Sequence, residues 1–273
     1  MAKENPLASN LTLEQQKNLF GNAYLNMLWH CPTDQRFPYW VHLPDCYYDE
    51  KDPHYKLLVI IHGTGCAVED YVRHAKELAD RDHVAVLAPL FPGGLIQRDD
   101  FNSYKLLSCD GVRYDQILLD MIDDMAKRYP GVETDKFFLF GHSGGGQFVN
   151  RFLFAHPEKL RACAIGAPGR PTFLNPDEDY FWGTRDFKNY FGHDVDLAAV
   201  QKVPVLVIVG ENDTKFIGDS PYGDNRVARM KSLQKNLQDH GVHTELTILP
   251  GFAHEGGEKE RVQAAQHFFK AYL

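Results

Sequence analysis

Residues 137–150 read FFLFGHSGGGQFVN. An apolar run, Phe137 to Phe140, hands over to Gly141-His142-Ser143-Gly144-Gly145-Gly146, and an apolar-periodic segment comes next. Three glycines in a row weaken any strand or helix they belong to, because glycine loses the most backbone freedom on folding. The turn must therefore need them. A serine hydroxyl that meets a substrate has to project from a strand end, and the chain must reverse there at once into a helix. Such a turn crowds the residues two before and two after the serine, here Gly141 and Gly145. It also leaves the next N–H at a helix N-terminus, where negative charge is favoured.

Strands and helices alternate on both sides of this turn. Short, wholly apolar runs suit strands buried on both faces of a parallel sheet. They occur at Leu57–Ile61, within His83–Phe91, at Lys136–Phe140, Arg161–Ala167 and Val203–Val209, and at 244–249. Between them lie segments with helical spacing: 69–81, 113–129, 146–156, 225–240 and 258–272. In 113–129, for example, Ile117, Met121 and Met125 share a face with Leu118 and Ile122. Before them, 11–30 is expected to start a helix with Thr12 as N-cap, and Arg36–Leu43 alternates as an early strand. The alternation predicts one α/β domain with a mainly parallel sheet and helices on both faces. Reactive groups are then expected at the carboxyl ends of the strands.

Two stretches break the rhythm. Residues 168–202 join two strands without a clear long helix and carry Phe173, Tyr180, Phe181, Trp182, Phe187, Tyr190 and Phe191. A loop this long in a compact domain is usually functional, and one this aromatic is not disordered in character. It is read as a small cap over the strand ends, with packing against the domain side as the alternative. Residues 92–112 form a second long loop, placed to line a pocket.

The chain has 273 residues, enough to build a core without disulfides or a metal. Its net charge of −8 and the lack of a Lys/Arg-dense run argue against nucleic-acid binding. The five cysteines are Cys31, Cys46, Cys66, Cys109 and Cys163, and none forms a CxxC pair. They read as reduced thiols of an intracellular, cytoplasmic protein. No signal peptide and no apolar run long enough for a membrane span is apparent. His74, His83 and His240 are scattered, and HGVH (240–243) has no partner carboxylate nearby, so no metal site is expected. Neither a P-loop nor a dinucleotide fingerprint is present, so no cofactor is expected.

The stretch FLFGHSGGG, between a strand and a helix, resembles the nucleophile elbow G-x-S-x-G of the α/β-hydrolase family. The resemblance covers about residues 36–273 and leaves 1–35 as an N-terminal extension without a match. In that family the order is serine, acid, histidine. The resemblance therefore implies Ser143 as nucleophile and Asp213, in Glu211-Asn212-Asp213-Thr214 after VPVLVIVG, as the acid; Glu211, Asp219 and Asp224 stand as alternatives. It implies His254, in TELTILPGFAH, as the base. It also implies an oxyanion hole from the N–H groups of Gly144 and of Thr64 in His62-Gly63-Thr64-Gly65, with Gly65 as the alternative second donor; His62 is expected to bond within the loop.

The function this resemblance implies is that of a serine hydrolase acting on a carboxylic ester or lactone of a small apolar or aromatic molecule. Tyr180, Phe181 and Trp182 of the cap are the expected substrate-binding residues, while Arg170, Arg185, Lys188 and Arg113 are cations able to hold a carboxylate but more often solvated or structural. The same triad serves carbon–carbon hydrolases of diketones, and the same fold serves non-catalytic small-molecule receptors. A small-molecule substrate is the expected partner, with a homodimer left open.

Overall fold

A computed structural model describes residues 12–21, 25–50 and 52–273. The first elements are α1 (Leu13–Phe20), β1 (Asn26–His30), β2 (Pro38–His42), β3 (Tyr55–Ile61), α2 (Val68–Asp82) and β4 (Val84–Pro89). A two-stranded ribbon is next, β5 (Ser108–Cys109) with β6 (Val112–Arg113), then α3 (Tyr114–Arg128), β7 (Val132–His142), α4 (Gly144–Ala155) and β8 (Leu160–Gly166). The chain ends with α5 (Phe187–Phe191), α6 (Leu197–Val200), β9 (Val205–Gly210), α7 (Arg226–Asp239), β10 (Thr244–Leu249) and α8 (Glu258–Phe269).

One sheet of eight strands, ordered β1-β2-β4-β3-β7-β8-β9-β10, carries the domain. From β4 to β10 all pairings are parallel; β1–β2 and β2–β4 are antiparallel. Period-2 alternation divides the sheet's side chains between two cores. Leu57, Val59 and Ile61 face α3, α4 and α7 through Leu118, Phe148, Phe152 and Met230. Leu58 and Ile60 face α2 and α8 through Tyr71, Ala75, Val262 and Ala265. Every residue of β4 and β9 is buried, which is why these strands read as unbroken apolar runs rather than alternating ones.

The sequence expectation for 11–30 is corrected in its second half. Thr12 does cap α1, its hydroxyl accepting from Gln15 N–H and the Gln15 side chain accepting from Thr12 N–H. But 26–30 is a strand, paired with β2 from Asn26↔His42 to His30↔Pro38. Only alternate residues are half-buried there, so a half-exposed edge strand imitates a weak helical pattern.

The segment 168–202 folds into turns, α5 and α6, and its aromatics join the main core: Phe173, Tyr180, Phe187 and Phe191 are buried. Its anchor is the side chain of Arg151 on α4. That buried guanidinium donates to the carbonyls of Arg170 (2.9 Å) and Lys105 (2.6 Å) and to the Thr172 hydroxyl (3.1 Å). It thereby ties 168–172 and the 92–112 loop to the helix that starts at Ser143. Among the described residues, no helix is long and apolar enough to cross a membrane.

Candidate active site

Ser143 stands between β7 and α4 at the carboxyl end of the parallel strands. Its backbone sits at φ 56° and ψ −112°, a region rare for a residue with a side chain. The surroundings over-determine it. Ser143 N–H donates to Gly166 O at 2.8 Å, and Gln147 N–H donates back to Ser143 O at 3.1 Å. A β-carbon on Gly141 would lie 2.5 Å from the carbonyl carbon of Gly145, and one on Gly145 would lie 2.2 Å from Ile61 O. The glycines are thus required by backbone approaching backbone, which no side-chain movement can relieve. Gly145→Ala is accordingly expected to cost about 3 kcal/mol or more of stability through overpacking, measured by chemical denaturation; an unchanged midpoint would show that the turn can open.

His254, in the loop between β10 and α8, reaches the serine from the sheet's edge strand, at the same carboxyl end. Its Nε2 lies 2.9 Å from Ser143 Oγ and its Nδ1 lies 2.7 Å from Asp213 Oδ2. A carboxylate accepts, so Nδ1 carries the proton and Nε2 is free to accept the serine hydroxyl's. Asp213 comes just after β9, is 1% exposed, and also accepts from Arg226 Nη1 at 3.3 Å. Of the alternative acids, Glu211 is turned away and accepts from Gly251 N–H at 2.9 Å. The structure therefore brings Ser143, His254 and Asp213 into one hydrogen-bonded chain.

The two expected oxyanion donors are also brought together. Thr64 N lies 3.1 Å from the position a β-carbon on Gly144 would occupy. His62 braces their loop: its Nε2 accepts from Phe91 N–H at 3.0 Å, and its Nδ1 lies 2.6 Å from Gly63 O. Burial pushes the His62 pKa down to about 4, so the ring stays neutral and keeps one acceptor and one donor.

Several residues around the triad carry no signal in the sequence. Tyr104 donates its hydroxyl to His62 O at 3.2 Å, under the His62–Gly65 loop. His142 Nε2 and Arg261 Nη2 each donate to the main-chain carbonyl of His254 at 3.0 Å and so fix that loop. Burial holds the His142 pKa well below the usual imidazole value, which keeps a second positive charge away from His254, its ring centroid 4.9 Å distant.

Two cavities bear on the site, of which one is lined by Ser143 itself. One, of about 400 Å³, is lined by Ser143, His254, Thr64, Gly65, Asp70 and Tyr71. The other, of about 440 Å³, reaches Gln147 on α4 and is lined by Lys105, Arg170, Arg229, Asn102 and Phe181 among others, with no Asp or Glu in its wall. Of the three expected substrate-binding aromatics only Phe181 lines it. Tyr180 is buried with its hydroxyl donating to Leu106 O at 2.6 Å, and Trp182 stacks toward Tyr222 and over the Arg229 guanidinium. Inward packing buries the Tyr180 ring, while Trp182 stays half-buried against Tyr222 and Arg229.

Lys105, from the 92–112 loop, is buried, with its ammonium donating to Asn102 Oδ1 at 2.7 Å. Among the described residues no carboxylate pairs with it. Its Cε lies 2.7 Å from the would-be Gly144 β-carbon, a point 3.1 Å from Thr64 N. Burial, reinforced by the Arg151 charge, lowers its pKa to about 8. Arg229 likewise lacks a carboxylate among the described residues: it donates to the carbonyls of Gly223 (2.9 Å), Gly218 (2.6 Å) and Gly169 and lies over the Trp182 ring.

A mainly parallel sheet sandwiched by helices, with a serine elbow at its carboxyl edge, defines an α/β-hydrolase. Residues 45–271 match the dienelactone hydrolase family. The chain belongs to that family and is an ester-hydrolysing enzyme. Its fold is shared by a poly(3-hydroxybutyrate) depolymerase, LpqC, of Bordetella parapertussis, at 19% identity over 97% of this chain and 96% of that one, with a TM-score of 0.73. The poly(aspartic acid) hydrolase-1 of Sphingomonas sp. KT-1 is similar at 19% identity, over 89% and 96% of the two chains, with a TM-score of 0.70. An S-formylglutathione hydrolase of Agrobacterium tumefaciens is similar at 15% identity, over 90% and 93%, with a TM-score of 0.61. No curated protein sequence gives a significant match.

Proposed function

We propose that the protein hydrolyses esters or lactones of small molecules through Ser143, His254 and Asp213, by way of an acyl-enzyme. The observation that carries this reading is the unbroken contact from Asp213 Oδ2 through His254 to Ser143 Oγ. His254 Nε2 takes the hydroxyl proton as Oγ attacks the carbonyl carbon. The N–H groups of Thr64 and Gly144 receive the developing oxyanion, aided by the α4 N-terminus. His254 then gives its proton to the departing alcohol oxygen. In the second half it deprotonates water, whose oxygen bonds to the acyl carbon; the acyl–Oγ bond then breaks, the acid leaves and His254 returns the proton to Ser143 Oγ.

This chemistry sets the direction of each substrate arm. The leaving oxygen must lie at His254, which lines the first cavity; the acyl chain then runs past Gly144 into the second. We assign that acyl arm a terminal carboxylate in addition to the apolar or aromatic character expected from the sequence. Lys105 and Arg229 face the cavity without a carboxylate partner, Arg170 adds a third cation, and Phe181, Leu106 and Ile217 supply apolar wall for a short chain. A fold relative named for poly(aspartic acid), itself a polyanion, accords with this assignment.

Aryl monoesters of glutarate and butyrate test it. The glutarate ester is expected to show the lower KM at pH 7. Lys105→Met should raise that KM at least about tenfold, the cost of losing a hydrogen bond between charged groups, and leave butyrate hydrolysis nearly unchanged. In the wild-type enzyme the KM for glutarate should climb as pH rises through about 8, because Lys105 loses its charge there. Equal responses of the two esters would refute the carboxylate while leaving the esterase chemistry standing.

A further inference from the structure

Away from Ser143, three side chains with metal-binding chemistry converge although the sequence separates them. Cys46 lies in a 3₁₀ turn, Asp45–Tyr48, Glu50 comes just after that turn, and His83 joins α2 to β4. Cys46 Sγ is 3.9 Å from His83 Nδ1, and His83 Nδ1 is 3.3 Å from Glu50 Oε1; one ligand atom from each of the three lies within 4.8 Å of the others. We propose that Cys46, Glu50 and His83 form a binding site for a single divalent cation of the zinc type, with water in the fourth position.

The distances carry the geometry. Zinc bonds sulfur at about 2.3 Å and nitrogen or oxygen at about 2.0–2.1 Å, so tetrahedral ligand atoms stand roughly 3.3–3.6 Å apart. The imidazole–carboxylate gap already has that size, and the thiol–imidazole gap needs only a few tenths of an ångström. Donor chemistry selects the ion. A thiolate with an imidazole suits zinc and its neighbours and disfavours magnesium and calcium, which take oxygen ligands. Two anionic ligands neutralise the dication, and the half-exposed Glu50 and exposed His83 leave an entry path.

Local structure supports the same residues. His83 ends α2 in the left-handed conformation, φ 53° and ψ 51°, a C-cap position where glycine is the usual occupant. A histidine there costs backbone strain but swings its ring over the Cys46 turn, and Tyr55 stacks against that ring at 6.1 Å between centroids. The Tyr55 hydroxyl lies 3.5 Å from Cys46 Sγ, positioned as a hydrogen-bond donor to a thiolate ligand. Tyr55 starts β3 and His83 precedes β4. The site therefore lies at the amino ends of these strands, the opposite end of the sheet from Ser143, and its bound ion would clamp the Cys46 turn onto the α2–β4 junction.

The test uses the full-length protein, reduced and stripped with a chelator. Cobalt(II) should bind with a thiolate-to-metal charge-transfer band, zinc should displace it, and zinc should raise the melting temperature. Cys46→Ser should abolish the band. His83→Asn, which suits the left-handed backbone, should weaken zinc binding at least about tenfold and remove the melting shift. Ester hydrolysis should be the same with and without zinc, which separates this site from the proposed catalytic one. Absence of the band and of the melting shift in the wild-type protein overturns the proposal. So does zinc binding by both variants at wild-type strength, since the ion would then sit elsewhere.

Discussion

Ser143→Ala is expected to lower kcat/KM on a short aryl ester by about 10⁴-fold or more, the scale seen when a triad nucleophile is lost. The reason is geometric. Ser143 Oγ is the group that His254 Nε2 touches at the strand ends, at 2.9 Å. Thr64 and Gly144 N–H remain after the substitution, so a residual rate above the uncatalysed one should persist from oxyanion stabilisation and binding alone. The fold should be indifferent to the change, because Ser143 is held through its main chain, by N–H to Gly166 O and O from Gln147 N–H. An organophosphonate that labels the wild-type protein should leave the alanine variant unlabelled. Retention of near-wild-type hydrolysis would move the nucleophile away from Ser143, and a folded wild type that neither labels nor hydrolyses would turn the reading toward a receptor on this fold. Parallel assays of aryl esters and a vinylogous diketone separate ester from carbon–carbon cleavage.

Much of this site is legible in the sequence because its chemistry is tied to local backbone. Gly141 and Gly145 advertise a turn that only small residues survive, and β7 and α4 flank it as the apolar patterns predict. The strands buried on both faces, β3, β4, β8 and β9, are legible for the same reason: burial on two faces leaves no polar alternation to confuse them. Legibility fails where distant segments must meet. Lys105 sits in an irregular loop, and nothing in SYKLL distinguishes it from a solvated lysine until Arg151 and the oxyanion loop enclose it. Tyr180 and Trp182 show the opposite failure. Aromatics in a long insertion invite a substrate-contact reading, but Tyr180 packs against Arg151 of α4 and Trp182 leans on Tyr222 and Arg229. Cys46, Glu50 and His83 lack any ligand-like spacing because they are gathered by an antiparallel edge and a helix end, not by one motif.

Asp213→Asn is expected to reduce kcat by about 10⁴-fold with little change in KM. His254 Nδ1 faces Asp213 Oδ2 at 2.7 Å, and a carboxylate there can only accept, so the imidazole proton is held on Nδ1. An asparagine can present its NH₂ instead. It then favours the opposite tautomer, with the proton on Nε2, and that ring cannot take the Ser143 proton. The same carboxylate stabilises the imidazolium formed during attack, in a pocket where Asp213 is 1% exposed and little water substitutes for it. Arg226, 3.3 Å from the other carboxylate oxygen, loses its ion pair in the variant, so some stability should also be lost. The internal control is Glu211→Gln. Glu211 is two residues away on the same turn but holds Gly251 N–H rather than the imidazole, and its amide can still accept that bond. Near-normal kcat for Glu211→Gln beside a large loss for Asp213→Asn would assign the acid. The reverse order would require the loop after β10 to rearrange when substrate binds.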